Sequence, residues 1–588
     1  MCKTKIIATI GPASNNVETI KELINAGMDA ARINFSHGSY ESIKEMVDNV
    51  KQAREELNIP IPLILDTKGP EIRLKTFATE PVFLKQGERF ILTTDDIEGD
   101  ETRVAVTYKD LPQDVRNGSR ILIDDGLVEL KVVHLTETDI ECVIVNSGPL
   151  SSRKGVNIPD VYVNLPALTE KDEEDIKFGI EQGFDYVAAS FIRSAADVIK
   201  IREIIENNTE NPIKIIAKIE NRDGVNNIDS ILEVSDGIMV ARGDLGVEIP
   251  PEEVPLVQKH LISSANHLGK IVITATQMLE SMVTNLRPTR AEANDVANAI
   301  FDGTDVIMLS GESAKGNYPV ESVAMMNRIA VTTEHSIDYL ERIERQHRHL
   351  KTNLITAIGY ASCTTANDLG AACIVTITNS GITPRILSKF RPNAPICAIT
   401  KNEIAWRQLN LSWGCIPILD KSLPTDEASS EIAFNSAIET AKQAGLCKDG
   451  DYVVLAAGIP VGIAGTTNLL KVEIVGNILV RGEGVGNQVV TGVANTIKVF
   501  EEAQYFKKGE ILVTTKTTDE LIPYIKRCSA LIVGSDKPED YTHTQTLVKA
   551  LDIPVIICNQ KVVDLVPNGC YITVDSAKGF VYNGDKIN

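Results

Sequence analysis

The feature that most constrains this chain is a repeated alternation of short aliphatic runs with helix-period segments. KTKIIATIG precedes a helix expected over 16–27, and DAARINFS precedes one over 40–57. IPLILDTKG is followed by a long interruption, and the pattern resumes after residue 169. There DYVAASFI leads to a helix near 195–207, IKIIAKIE to 223–233, DGIMVARGD to 252–268, KIVITATQ to 290–302 and DVIMLSG to 319–340. Runs that stay aliphatic without polar alternation are the mark of strands buried on both faces. Eight strand-then-helix units close a (β/α)8 TIM barrel, so the expected class is α/β.

Each run turns polar at its C-terminal end: Arg32, Asn34 and Ser36; Asp66, Thr67 and Lys68; Lys218 and Glu220; Arg242 and Asp244; Thr276 and Gln277; Ser310 and Glu312. For any one of these, the simplest reading is that a strand end meets solvent. Lysine, glutamate and aspartate recurring inside apolar strands are another matter, because such groups are rarely buried unpaired. In a barrel these ends share one rim, which is where sites of this fold are built.

Residues 70–168 break the alternation with β-rich runs such as ERFILTT, SRILIDDGLVEL and DIECVIVNSG, read as an all-β domain inserted after the third strand and able to act as a lid. ERIERQHRHLK reads as a solvated helix end rather than a metal cluster. From 354 to 475, ACIVTITN, APICAITK, CIPILD and YVVLAAG alternate with helical patterns as a separate open α/β domain. The expected divisions are therefore a barrel at 1–69 with 169–340, a β lid at 70–168, an α/β regulatory domain at 341–475 and an extra α/β C-terminal domain at 476–588.

With 588 residues, 43% of them apolar and 24% charged, the chain has core material for several domains and is neither disordered nor a disulfide scaffold. Its 59 basic against 80 acidic residues give a net charge of −21, which disfavours nucleic-acid and anionic-membrane partners. An anionic substrate would then require locally concentrated cations or metals. The ten cysteines form no CxxC pair, and no apolar stretch approaches a membrane span, so a reducing, cytoplasmic setting is expected.

Glu220 and Asp244 end neighbouring strands five and six, a placement suited to two hard oxygen ligands of a magnesium-type ion. A general acid–base pair is the alternative, but Lys218 and Arg242 beside them favour ionised ligands. Arg32, Arg73 and Lys218 supply the positive charge that a phosphoryl group requires. The ARGDLG loop, ahead of a helix starting near Pro251, offers backbone amides for a small carboxylate.

ATIGPAS, RINFSHG, LDTKGPEIR, IIAKIENRDGV, MVARGDLGVEI, TATQMLESM, RPTRAEANDVANA and DGTDVIMLSGESAKG, in this order, resemble the pyruvate kinase family from about residue 3 to 475. The resemblance implies phosphoryl transfer from phosphoenolpyruvate to ADP, giving pyruvate and ATP. It implies Mg2+ or Mn2+ on Glu220 and Asp244, and K+ on Asn34, Ser36, Asp66 and the Thr67 carbonyl, with Glu71 at the position that goes with potassium dependence. Lys218 and Arg32 would stabilise the transferring phosphoryl, and Thr276 would lie near the enolate carbon. The amides of Gly243 and Asp244 would take the substrate carboxylate, and Asn34, His37, Arg73 and Lys154 would stand on the nucleotide side. Leu286 follows Asn285 where the family usually has proline, which leaves the conformation of that loop open.

In TNSGITPR the same resemblance implies an effector site for a phosphorylated sugar or nucleotide on Thr378, Ser380 and Thr383, while an ordinary helix cap accounts for the residues equally well. A homotetramer is implied too. The tail, 476–588, is similar to the mobile phosphohistidine domain of phosphoenolpyruvate-utilising enzymes, with His543 eleven residues before Pro554 at the histidine position. Pro538, Glu539 and Asp540 stand where glycines are expected, which favours a structural or interaction role over phosphotransfer. Two other functions fit the barrel residues: a lyase holding an enolate on magnesium, and a metabolite-sensing scaffold. ADP-independent pyruvate formation would mark the first, and indifference to loss of Lys218 the second.

Overall fold

The computed structural model describes residues 2–36, 38–347, 353–424, 430–458, 467–476, 478–535, 542–548 and 553–584. Two compact units are present, the first built mainly on Met1–Cys363 with Ile377–Leu423, the second on Thr364–Thr376, Pro424–Val461 and Asn468–Asn588.

The first unit is organised by a closed barrel of eight parallel strands: β1 (Lys5–Thr9), β2 (Ala30–Asn34), β3 (Leu63–Asp66), β4 (Tyr186–Ala189), β5 (Lys214–Ile219), β6 (Gly237–Ala241), β7 (Ile271–Ala275) and β8 (Val306–Leu309). Each strand pairs with its sequence neighbours, and β8 returns to β1 through Lys5 opposite Val306. Successive side chains of a strand point to opposite faces, and the two faces fill two different cores. Ile6, Ala8, Ile215, Ala217 and Ile219 pack outward against the helices. Ile7, Ala30, Ile64, Tyr186, Ala188, Ile216, Met239 and Ile273 pack inward, with Leu411 from the 377–423 stretch among them.

The expected helices are present with adjusted bounds, at Val17–Ala26, Tyr40–Leu57, Ala195–Asn208, Val254–Leu268, Arg290–Asp302 and Pro319–Glu334. The segment after β5 is two short helices, Arg222–Asn226 and Ile228–Val234, rather than one. ARGDLG is not an open loop: Arg242–Glu248 is itself helical. The insertion after β3 forms a six-stranded sheet and a two-stranded one around its own core, which includes Phe90, Leu92, Ile121, Val132 and Cys142.

Within 377–423, Ile396–Thr400 runs parallel to Cys415–Leu419. In the second unit, Cys373–Ile377 runs parallel to Tyr452–Gly458, and the chain from Ile478 onward builds an eight-stranded sheet whose centre, Val489–Ile497, Ile511–Thr514, Ala530–Gly534 and Val555–Cys558, is parallel. All ten cysteines are free, and no described helix is long and apolar enough to cross a membrane.

Candidate active site

Strand parity brings the polar groups together. Lys218 lies two residues beyond the inward Ile216, Asp66 two beyond Ile64, Arg32 two beyond Ala30 and Thr9 two beyond Ile7, so all four share the inward face at the C-terminal mouth. Ser190 continues the face of Ala188. At the centre is the Lys218 ammonium, whose Nζ donates to Ser190 Oγ at 2.6 Å and to Asp66 Oδ1 at 3.0 Å, and pairs with Glu220 Oε1 at 2.9 Å. Arg32 Nε meets Asp66 Oδ2 at 2.6 Å, and its Nη1 donates to Thr9 Oγ1 at 2.9 Å. The Phe191 amide donates to Glu220 Oε2 at 2.6 Å from a left-handed backbone with φ of 56°.

These charges are desolvated, and their neighbours decide which of them is kept. Burial works against the Lys218 ammonium, but the carboxylates of Asp66 and Glu220 outweigh it and raise its pKa, so it stays protonated. Burial also opposes the Asp66 carboxylate, and Arg32 and Lys218 reverse that and hold its pKa below the usual range. Glu220 is pushed up to about 7 by burial, with Lys218 opposing and the Asp244 charge adding to the rise. Asp244 is raised by burial as well, against the pull of Lys218. Burial thus disfavours the charge of both acids, and the Asp244 charge adds to the penalty on Glu220.

Thr276 and Gln277 follow β7 with φ of 66° and 54°, a region β-branched residues rarely enter. The turn is held by Arg242, which was expected at the rim beside the acids. Arg242 instead turns toward β7, donating to the Thr276 carbonyl at 2.8 Å and pairing with Asp295 at 2.7 Å. Thr276 Oγ1 donates to the Ala275 carbonyl and accepts from the Gly243 amide at 2.8 Å. The Gly243 amide, expected to face a substrate carboxylate, is therefore already satisfied in this conformation.

A cavity of about 690 Å³ opens between the rim and the inserted sheet, lined by Glu71, Arg73, Asp125, Lys154, Arg193 and Asp244 among others. Arg73 pairs with Glu71 at 2.5 Å and Lys154 with Asp124 at 2.9 Å. Asn34 Oδ1 accepts from the Ser36 amide at 2.9 Å, and the Thr67 carbonyl from Ser190 Oγ at 2.7 Å. His37 lies outside the described residues, as do Pro538, Glu539 and Asp540. Among the described residues no group of three or more histidine, cysteine, aspartate or glutamate side chains could hold a metal ion.

Away from the barrel mouth, Thr378 Oγ1 accepts from the Gly381 amide at 2.9 Å and Arg385 donates to the Ser380 carbonyl at 2.9 Å. Thr383 is buried, with its hydroxyl on that of Thr467 at 2.7 Å. His543 begins the helix Thr542–Val548 between Thr517 Oγ1 at 2.8 Å and Asp519 Oδ1 at 3.2 Å. Sequence reading passes over Ser190 and Phe191, which both hold the central charges; the parity of DYVAASFI, with Ser190 two residues past an inward alanine, is the signal for the first.

A family profile described as "Pyruvate kinase, barrel domain" matches residues 1–323. A second, "Pyruvate kinase, alpha/beta domain", matches 356–473. The chain belongs to the pyruvate kinase family. It is a phosphotransferase, and a third profile, "PEP-utilising enzyme, mobile domain", matches 506–579 within its extra C-terminal region. Pyruvate kinases of Sporosarcina psychrophila and Geobacillus stearothermophilus are 47% and 46% identical to it, with 99% of each chain covered. The crystal structure of a pyruvate kinase from Cryptosporidium parvum superposes with a TM-score of 0.77 at 40% identity, covering 80% of this chain and 96% of that one.

Proposed function

We propose that the rim transfers the phosphoryl group of phosphoenolpyruvate to ADP, with Arg32 and Lys218 on the phosphoryl oxygens. The observation that carries the reading is the Lys218 ammonium, buried, kept charged and fixed by Asp66, Ser190 and Glu220. A preorganised charge of this kind acts where negative charge builds up in the transition state and needs no reorganisation at that moment. The bond from phosphorus to the enol oxygen breaks as the bond to a terminal ADP oxygen forms. The enolate left behind takes a proton at its methylene carbon, on the side where Thr276 is held. Arg73 and Lys154, on the cavity wall, face the nucleotide phosphates, and Asn34 is assigned to the same side.

Glu220 and Asp244 fit a divalent cation, Mg2+ or Mn2+, because both are oxygen donors whose charge burial disfavours, a penalty that a nearby positive ion would relieve. Such an ion neutralises phosphoryl oxygens and orients them. Asn34, Ser36, Asp66 and the Thr67 carbonyl offer the oxygen donors that K+ prefers, and the Asp66 oxygens, already on Arg32 and Lys218, retain lone pairs for a further contact. We assign the inserted β domain, 70–168, the part of a lid, the 341–475 region a regulatory part with a phosphorylated effector near Thr378, Ser380 and Thr383, and the assembly a homotetramer in the cytoplasm. The hydroxyls and amides of the turn that enters the helix Ile382–Lys389 through Gly381, at φ 77°, support the effector placement.

The test is a steady-state assay of pyruvate from phosphoenolpyruvate with ADP, Mg2+ and K+ varied in turn. Turnover that requires ADP supports the reading, and pyruvate release indifferent to ADP refutes it.

A further inference from the structure

On the opposite side of the first unit from the mouth, a second group of cations meets without a matching set of acids. Helix Ile382–Lys389 and the residues after it approach the loop that leads into β7, and Lys270, Arg385, Lys389 and Arg391 line a narrow crevice together with Asp305 and Ser412. The carboxylate among the lining residues is spent: Asp305 Oδ1 takes Arg391 Nη1 at 2.6 Å and Oδ2 takes the Val272 amide at 2.9 Å, and Asp236 offsets Lys270. Lys270 donates to the Ser235 carbonyl and Arg385 to the Ser380 carbonyl.

Three groups remain unused. Arg391 is 2% exposed, and its Nε has no hydrogen-bond partner although its Nη2 is satisfied by Asn266 and Gly303. Ser412 is also 2% exposed, with Oγ unpartnered. The stem of Lys389 packs on Gly269, where a Cβ would lie 3.2 Å from its Cδ, and its ammonium has no partner among the described residues. Burial alone depresses that ammonium, to about 8. Buried donors are seldom left unmade, because an unpaired one forfeits its full desolvation cost.

We propose that this crevice binds a monoatomic anion, a halide, between Lys389, Arg391 Nε and Ser412 Oγ. Size and charge together select the class. The free space, about 10 Å³, holds one water-sized body and so favours a single small ion over a phosphate or carboxylate. A water could accept two hydrogen bonds but would leave the surplus positive charge standing, whereas an anion satisfies the donors and the charge at once. The site is separate from the phosphoryl-transfer residues and joins the base of the barrel to the helix that begins in the TNSGITPR turn.

The experiment uses the full chain exchanged into sodium gluconate, with sodium chloride then substituted at constant ionic strength. The expected result is broadening of the 35Cl resonance and a rise in melting temperature of about 1–3 °C. Both are lost in Lys389→Met, which keeps the stem on Gly269 and removes the ammonium; this variant melts above the parent in gluconate. Ser412→Ala, which retains all four cations, weakens chloride binding severalfold and keeps the proposal testable if Lys389→Met does not fold. The inference is overturned if chloride and gluconate are equivalent for the parent, if Lys389→Met keeps the response, or if phosphate reproduces it.

Discussion

At the scale of single residues, the site is a problem of keeping charges alive out of water. Lys218 is charged because Asp66 and Glu220 face it, and Asp66 is charged because Arg32 and Lys218 face it. Removing the ammonium therefore leaves Glu220 without its cation and Asp66 with Arg32 alone. Lys218→Met is expected to lower kcat by about 10²–10³-fold or more, with a much smaller change in KM for phosphoenolpyruvate, measured by steady-state kinetics. Lys218, Arg32, Glu220 and Asp244 were legible in the sequence because burying a charge inside an aliphatic run is costly unless partners and a task for that charge await it. Arg242 was misplaced because sequence gives the strand end but not the direction of a long side chain, and its guanidinium went to the Thr276 carbonyl and Asp295. The strain at Thr276 and Gln277 was equally invisible, since neither residue type advertises a positive φ.

At the scale of elements, the barrel was readable to within a few residues because its strands are buried on both faces and their aliphatic runs have no competing interpretation. The helix at Arg242–Glu248 was missed because two glycines within seven residues argue against a helix by propensity, and tertiary packing overrode that. Close packing of strands leaves a marked position at Gly237, opening β6, where a Cβ would lie 2.5 Å from the Ile271 carbonyl oxygen and 2.8 Å from Ile216 Cδ1. Gly237→Ala is expected to destabilise the chain by about 1–3 kcal/mol in urea unfolding without altering the rim groups. The return segment of the inserted domain is held by Arg193, whose guanidinium donates to the carbonyls of Val163, at 2.7 Å, and of Leu165. Arg193→Ala should raise KM for ADP severalfold while leaving KM for phosphoenolpyruvate nearly unchanged, because it frees the cavity wall and not the barrel mouth.

At the scale of the whole molecule, the tail is built into the second unit rather than appended to it. Lys578 Nζ donates to the Gly450 carbonyl at 2.6 Å and Phe580 lies edge-on to Tyr452 with ring centroids 6.5 Å apart. Truncation after residue 475 should therefore lower the melting temperature by several degrees in scanning calorimetry, since it uncovers the Gly450–Tyr452 stretch. A pH dependence follows from Lys389, faced by Lys270, Arg385, Arg391 and Asp305. Its folded pKa, about 8, lies below the ordinary value of 10.5, so between those values the unfolded chain binds more protons and stability rises with pH. In halide-free buffer the stability advantage of Lys389→Met over the parent should be full below pH 8 and shrink toward pH 10.5, as read from urea midpoints. That seam was not legible beforehand, because four cations scattered between residues 270 and 391 acquire meaning only when the chain is folded.

The eight strands close in sequence order, and the last contact of the ring is Lys5 opposite Val306. A polypeptide still emerging from the ribosome cannot fasten that seam until Leu309 has been made and has cleared the exit tunnel. Arg32, Asp66 and Lys218, though synthesised long before, have no common enclosure until then. Without β8 the ring stays open between β7 and β1, and no N-terminal fragment ending before β8 is expected to turn over substrate.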